Sequence, residues 1–427
     1  MVKVFSGRLR WVLIFWMFLI GAISYLDRIN ISIAGQAIQK EFDISNVQLG
    51  YVFSAFVIGY GLFQVPGGRL ADRFGPRWII TIGVLWWSLF TTFTALVPTG
   101  FGISLWMLAA TRFLLGIGEA VVYPASNRLI AEWIPTMERG TANGFIFAGI
   151  GAGGGIAPPL ITYILVNWGW RWSFCLSALI GVVAVAGWHL VARNTPRDHP
   201  WIEKKEIAYI EAGLPAAAEV LGARKVAPWG KILRNRNIGF VTLSYFAYGY
   251  NTFIFFSWFF IYLSKVRGLD LKASAFYSML PFLAISICSP VGGWIADIVT
   301  RRYGKRVGRC GIGVLGLAGA ALLIALATQV ESARIASIFL ACGVGSLYLA
   351  QSSYWAVTAD IAGASAGSVS GVMNMGAQIG AALTATLTPM IADSFGWTAS
   401  FLTAAGMCVV GSIAWLFVNP DVQLGRD

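Results

Sequence analysis

Four charged residues lie within stretches that otherwise read as lipid-spanning helices: Asp27 and Arg28 in the first, Arg112 and Glu119 in the fourth. A charge at mid-bilayer depth costs roughly 2.5 to 3.5 kcal/mol even on the lenient insertion scale, so such residues mark a substrate or ion pathway. A guanidinium keeps its proton and offers a planar fork matched to a carboxylate, which makes Arg28 the expected anion binder. Tyr25, one turn earlier, is placed to donate its hydroxyl to the same ligand. Carboxylates whose surroundings alternate between wet and dry can take up and release protons. Asp27 and Glu119 are therefore the expected proton-coupling groups, with Arg112 as the ion-pair partner of Asp27. At 1.5 Å per residue, Asp27 lies about 24 Å along the first segment from one face, and Arg112 and Glu119 about 12 and 22 Å along the fourth from the other. Arg112 and Glu119, seven residues apart, share a helix face. The alternative is a static ion-pair network that only holds the two helices together.

The second half of the chain offers neutral groups instead: Tyr245, Tyr248 and Asn251 in the seventh segment, Gln351 and Tyr354 in the tenth, Asn374 and Gln378 in the eleventh. Such donors and acceptors suit the hydroxyls of a substrate whose charged end is held by the first half. Polar residues in membrane helices also bond simply to neighbouring helices, for ~0.6 kcal/mol on average.

The elements that must position these residues are set by composition. With 57% hydrophobic residues, 12% charged and a mean hydropathy of +0.70, the chain departs from soluble proteins, which carry about 25% charge. Twelve apolar runs, each near the ~20 residues that span a bilayer, recur with short connections. They cover roughly 11–34, 47–70, 78–97, 104–131, 141–166, 173–193, 237–264, 272–298, 309–328, 334–360, 366–392 and 397–418. The basic start followed by an apolar run imitates a signal peptide, but the run continues into Asp27-Arg28 without a small-residue cleavage site, so a retained first helix is expected. The net charge of +12 could suggest nucleic acid, yet of the 31 Lys and Arg residues, twenty-three fall on one side of the implied topology and six on the other. This is the positive-inside rule, and it places both termini in the cytoplasm. The five cysteines lack ligand or CxxC spacing, so neither a disulfide framework nor a metal site is expected, and the two histidines form no catalytic pair.

The longest hydrophilic stretch, 193–236, separates six runs from six. Within it Trp201, Ile202, Ile207 and Ile210 alternate with charges, which suits either an amphipathic helix at the membrane face or a solvated linker. The halves repeat: GGRLAD at 67–72 against GGWIAD at 292–297, glycines 144, 149 and 153 against 371, 376 and 380, and GWRWSF at 169–174 against GWTASF at 396–401. Parallel six-helix repeats are a carrier architecture with the site between them near the midplane. The spaced glycines read as helix-packing positions. A GxGxxG match at 149–154 and a GxSxG match at 363–367 lie in helical or inter-helical context without a preceding strand, so neither dinucleotide binding nor a nucleophile elbow is expected.

Gly68-Arg-Leu-Ala-Asp72-Arg73-Phe-Gly75-Pro-Arg77 resembles the loop signature of the major facilitator superfamily between helices two and three, with Pro76 where a basic residue is common. Gly293-Trp-Ile-Ala-Asp297 is its second copy, followed by an inserted Ile-Val-Thr. Arg112-Phe-Leu-Leu-Gly116-Ile-Gly118-Glu119 resembles the fourth-helix signature. Tyr25-Leu-Asp27-Arg28, with Glu119, the Tyr-rich seventh helix and Asn374, is similar to the anion:cation symporter family, which includes bacterial sugar-acid transporters and the vertebrate sialic-acid and vesicular glutamate carriers. The resemblance implies proton sites at Asp27 and Glu119 and substrate contact at Arg28 and Asn374. Sugar-acid members would carry a glutamine in mid helix five near Ile150, which this chain lacks. The anion therefore stays open among a sugar acid, a hexuronate, a lactate-like acid and an aromatic acid.

The expected fold is an all-α integral membrane protein of twelve transmembrane helices in two six-helix pseudo-repeat bundles, 1–193 and 237–427, joined by a cytoplasmic linker, 194–236. The expected function is proton-coupled symport, importing a small organic anion by alternating access; the alternative is a proton-coupled drug exporter of the same fold. An enzyme or a transport-fold sensor fits less, since neither a nucleophile–base set nor a large soluble domain is present. A loop latch of Gly68, Asp72, Arg73 and Arg77, with Asp297 in the second copy, is expected to hold the halves in one state; a merely solvated, topology-setting loop is the alternative. The expected partners are the anion, protons and the lipid bilayer, without nucleic acid or cofactor. The expected form is a monomer, multi-pass in the plasma (bacterial inner) membrane.

Overall fold

In lipid every backbone N–H and C=O needs an internal partner, so apolar runs of this length can cross only as helices or in a closed barrel. The computed structural model describes residues 8–424 except 45, 101, 215–225, 260–261 and 270, and among these it contains helices and no strand. In chain order they are α1 (Leu9–Phe42), α2 (Asn46–Phe74), α3 (Pro76–Leu96), α4 (Ser104–Ala120), α5 (Val122–Trp133), α6 (Arg139–Trp168) and α7 (Trp170–Val191). Then come α8 (Lys204–Ala212), α9 (Trp229–Arg234), α10 (Arg236–Ser257), α11 (Leu271–Tyr303), α12 (Ile312–Gln329), α13 (Ala333–Ala362) and α14 (Ala366–Leu416). With α4 and α5 as one crossing interrupted at Val121, and α14 as two, these make the twelve-helix architecture. Side chains such as Phe15, Ile58, Leu62, Leu315 and Leu322 are exposed, leaving the apolar exterior that a bilayer covers.

The sequence repeat is written into the backbone. Gly169, between α6 and α7, has φ 86° and ψ 164°; Gly396, within α14, has φ 84° and ψ 161°. Few residues other than glycine adopt this region, so both copies of the GW corner turn the same way. Gly149 and Gly153 abut the α1 backbone at Phe18 and Ala22, while Gly376 and Gly380 abut α10 at Thr242 and Phe246. Each half thereby packs its fifth crossing against its first.

Within the first half α1 packs on α6 and α7, α2 on α4, and α3 on α4 and α7. Within the second, α10 packs on α14, α11 on α13, and α12 on α13 and α14. The halves meet along α6 with α11 and α2 with α14. The two ends of the described chain lie on one face: Leu9 N donates to Glu206, and Leu424 N donates to Ile361 O beside Asp360, which pairs with Arg139. The hydrophilic stretch contributes α8, whose buried Glu206 and Ile210 face protein. Glu206 binds Arg10 at 3.0 Å, Tyr209 donates to Glu138 at 2.6 Å, and Gly213 O accepts from Thr136 N at 2.9 Å. This segment is thus a helix clamped to the first half.

Candidate functional site: an aromatic-walled cavity with two guanidinia

A cavity of about 570 Å³ lies between the halves. α1 supplies Tyr25 and Arg28, α2 Phe56 and Tyr60, α4 Arg112, α5 Tyr123 and α6 Phe147. The opposite wall is Tyr245, Tyr248 and Thr252 of α10, Tyr348, Gln351 and Trp355 of α13, and Asn374 and Gln378 of α14.

Arg28 is held from behind. Its Nε donates to Glu119 Oε2 at 2.6 Å, with side chains 17% and 0% exposed, and the same oxygen accepts from Ser24 Oγ at 2.9 Å. The guanidinium carbon sits 4.2 Å from the ring centre of Tyr60, 4.8 Å from Tyr25 and 5.2 Å from Phe56, a cage of cation–π contacts. Arg28 Nη2 and Glu119 Oε1 are buried without a hydrogen-bond partner.

The expected Asp27–Arg112 ion pair is not formed; the pair is Arg28–Glu119. Depth along the helices was the only coordinate available to spacing, and the pairing is decided by rotation. Adjacent helix residues point about 100° apart, so Arg28 reaches the cavity while Asp27 turns into the first half, on the side of Asn30, which bonds Ser173 and Ser177 of α7. Asp27 is 1% exposed and neither carboxylate oxygen accepts a hydrogen bond of normal geometry. Arg112 is 2% exposed and lines the cavity with its carbon 5.1 Å from the Phe56 ring centre; its Nε and Nη1 are buried and unbonded.

In the second half Tyr245 is tied into its own wall. Its hydroxyl accepts from Gln351 Nε2 at 2.9 Å and Trp355 Nε1 at 3.1 Å, and its ring stacks on Tyr248 at 5.0 Å. Asn374 Nδ2 donates across the interface to Gln64 Oε1 at 2.8 Å. Two expected contacts fall outside the cavity. Asn251 is buried and bonds Ala247 O of its own helix; Tyr354 is buried and shares a 2.7 Å hydrogen bond with Ser244. Relative to Tyr245, Asn251 is turned by about 240° whereas Thr252 returns to within about 20°; on α13, Trp355 and Tyr348 turn about 40° and 60° to one side of Gln351, and Tyr354 about 60° to the other. Sequence reasoning missed Tyr60 and Phe56, whose signal was an aromatic pair four residues apart, and Tyr123, one turn beyond Glu119.

Between the cavity and the face bearing Leu9 and Leu424 the halves are joined. Trp355 packs against Phe147 and Tyr123 across the interface, at 5.2 and 6.0 Å between ring centres. One turn further, Asn127 Nδ2 donates to Thr358 Oγ1 at 2.9 Å. Asp72 accepts Gly367 N at 2.9 Å, Ser368 N at 2.7 Å and Ser368 Oγ at 2.6 Å, capping the start of α14. Asp297 accepts Gly140 N at 3.0 Å, Thr141 N at 2.6 Å and Thr141 Oγ1 at 2.6 Å, capping the start of α6. Gly68 and Gly293 let these helices touch backbone to backbone, at Gly367 and Gly140. Arg73 and Arg77 do not join: Arg73 is exposed over Phe74, and Arg77 bonds His189 O within its own half.

Residues 17–385 match the family model described as Major Facilitator Superfamily. The chain is 33% identical to the probable sulfoacetate transporter SauU of Cupriavidus necator, over 93% of this chain and 91% of that one. It is 33% identical to the hexuronate transporter of Bacillus subtilis, over 96% and 94%. To the D-galactonate transporter of Escherichia coli it is 28% identical, over 98% and 97%. Among solved structures, the proton:xylose symporter XylE bound to 6-bromo-6-deoxy-D-glucose superposes with a TM-score of 0.76 at 16% identity, over 98% of each chain, which speaks to the fold. Twelve helices in two repeats, a cavity between them and matches of this extent make the chain a member of the major facilitator superfamily, a multi-pass membrane transporter and not an enzyme.

Proposed function

We propose that this protein imports a small organic anion together with protons, its two bundles, 1–193 and 237–427, rocking about the cavity. The observation that carries the reading is the Arg28–Glu119 pair at the cavity wall. While Glu119 is ionised it occupies one edge of the Arg28 fork and cancels its charge. A proton on Glu119 removes that charge and leaves the caged guanidinium to a substrate carboxylate, so anion and proton are favoured together. Asp27, a buried carboxylate whose oxygens accept no hydrogen bond of normal geometry, is the second proton site, since such a group calls for a functional account. Tyr25, Gln351, Asn374 and Gln378 meet the neutral part of the substrate. The sulfoacetate, hexuronate and galactonate named for the relatives are small organic anions, which supports this class.

The excess of Lys and Arg on the termini-bearing side supports a cytoplasmic location for both ends in the plasma membrane. On that reading the Asp72 and Asp297 latches close the cytoplasmic side, and substrate loads from outside. One proton with a monoanion is electroneutral; a further proton adds about 2.3 kcal/mol of driving force per 100 mV. A single chain contains the whole site, so a monomer suffices.

The test uses purified protein in liposomes loaded with a pH-sensitive dye, with organic acids added outside and protein-free liposomes correcting for passive leak. Acidification by one acid is expected. In Glu119→Gln, which imitates the protonated acid, acidification is lost while the anion still exchanges across the membrane. Acidification that survives in Glu119→Gln removes Glu119 from the coupling, and cationic drugs driving protons the other way would make the protein an exporter.

A further inference from the structure

We infer that the cavity selects small dianions over monoanions, with Arg112 as a second anion anchor beside Arg28; this deepens the import reading above and rests on it. Both guanidinia bear on one ring. The Arg28 carbon lies 5.2 Å and the Arg112 carbon 5.1 Å from the centre of Phe56, so the two cations are within about 10 Å of each other. Both side chains line the same cavity. Arg28 has a carboxylate at its back; Arg112 has neither an ion pair nor a hydrogen bond on its buried Nε and Nη1. Buried donors without acceptors are uncommon in native proteins, and an anionic group in the cavity is the acceptor that this geometry leaves room for.

Charge balance points the same way. The first half brings two guanidinia and two carboxylates, Asp27 and Glu119, to this region. The other titratable groups in the walls are the tyrosines, including Tyr25, Tyr60, Tyr123 and Tyr348, and the described second-half wall is otherwise neutral. When both carboxylates carry protons, two positive charges remain in a poorly hydrated space. A dianion cancels both, whereas a monoanion leaves one uncompensated, at a cost that grows as the local dielectric falls. A backbone of two to six carbons separates its acid groups by roughly 3 to 7 Å, which fits between anchors so spaced, and the cavity volume suits a ligand of that size.

The experiment measures binding to purified protein at about pH 5, where sugar acids and sulfoacetate are ionised, from the intrinsic fluorescence to which Trp355 in the wall contributes. The probes are matched pairs that differ by one charge: glucarate with glucuronate, and sulfoacetate with acetate. In at least one pair the dianion is expected to bind about tenfold or more tightly, the size of one charge-assisted contact. Arg112→Gln is expected to bring that ratio to about unity, and Arg112→Lys, which keeps the charge and loses the fork, to an intermediate value. Should Arg112→Gln fail to fold, the wild-type ratio and the Lys variant decide. Monoanions that bind as tightly as their dianionic partners, through Arg28, overturn dianion selection and leave anion import standing. A dianion preference that survives in Arg112→Gln removes Arg112 as its source. Absence of binding by every anion overturns both readings.

Discussion

Asp72 and Asp297, 225 residues apart, each accept two backbone N–H groups and one hydroxyl from the start of a helix in the opposite half, with nearly superposable distances. Their surroundings differ. Asp72 has Arg128 at 3.7 Å, and Arg128 is already paired with Glu132 at 2.6 Å. Asp297 has Arg309 at 2.6 Å, which also donates to Thr136 O at 2.6 Å and belongs to a buried set with Arg139 and Asp360, themselves 2.5 Å apart. The cavity walls diverge further. At the offset that relates the two aspartates, Asp27 and Arg28 correspond to Thr252 and Phe253, which line the same cavity without charge. A helix start presents orphan N–H groups whatever its side chains, so a capping carboxylate survives duplication as a unit. Charged pairs depend on single side chains and have gone separate ways in the two halves.

The comparison breaks most readily at Asp297. Asp297→Ala leaves Arg139 and Arg309 facing Asp360 alone, an uncompensated buried charge that costs about 3 to 5 kcal/mol. Hydrogen–deuterium exchange at the amides of Gly140 and Thr141 is expected to accelerate by more than about 100-fold. Asp72→Ala, by contrast, leaves Arg128 with Glu132, so the loss is that of the cap, about 1 to 3 kcal/mol. The amides of Gly367 and Ser368 should then accelerate by the smaller factor. Equal acceleration at the two sites would mean that the four-charge set adds nothing to the cap, and the two latches would be equivalent in energy as they are in geometry.

Much of this was legible beforehand. Hydropathy located the crossings, the internal repeat is carried in the backbone by the positive-φ glycines of both GW segments, and Arg28, Tyr25, Arg112, Gln351, Asn374 and Gln378 do line one cavity. What spacing could not supply was rotation. Depth matched Asp27 to Arg112, but the azimuth of α1 gave Glu119 to Arg28. An interval of six placed Asn251 with Tyr245, although seven residues, not six, bring a helix back to the same face. The cage around Arg28 was hidden for another reason. Phe56 and Tyr60 are ordinary apolar-face residues of α2, and only the packing of α2 beside α1 turns them toward a cation.

A change in the second half sharpens the contrast between the walls. Tyr245→Phe removes the acceptor of both Gln351 Nε2 and Trp355 Nε1, and each unsatisfied buried donor costs about 1 to 3 kcal/mol. The variant should melt at a lower temperature and bind its anion more weakly, because Gln351 loses the bond that holds its amide in the wall. The pH dependence of uptake should nevertheless keep the wild-type shape, since every carboxylate assigned to coupling stands in the other half. Glu119→Gln should do the reverse, binding well and flattening the profile. Uptake measured across a pH series for the two variants separates the roles: a profile displaced by Tyr245→Phe would mean that the neutral wall also sets the protonation of the site, and the division of charge chemistry and substrate shape between the halves would fail.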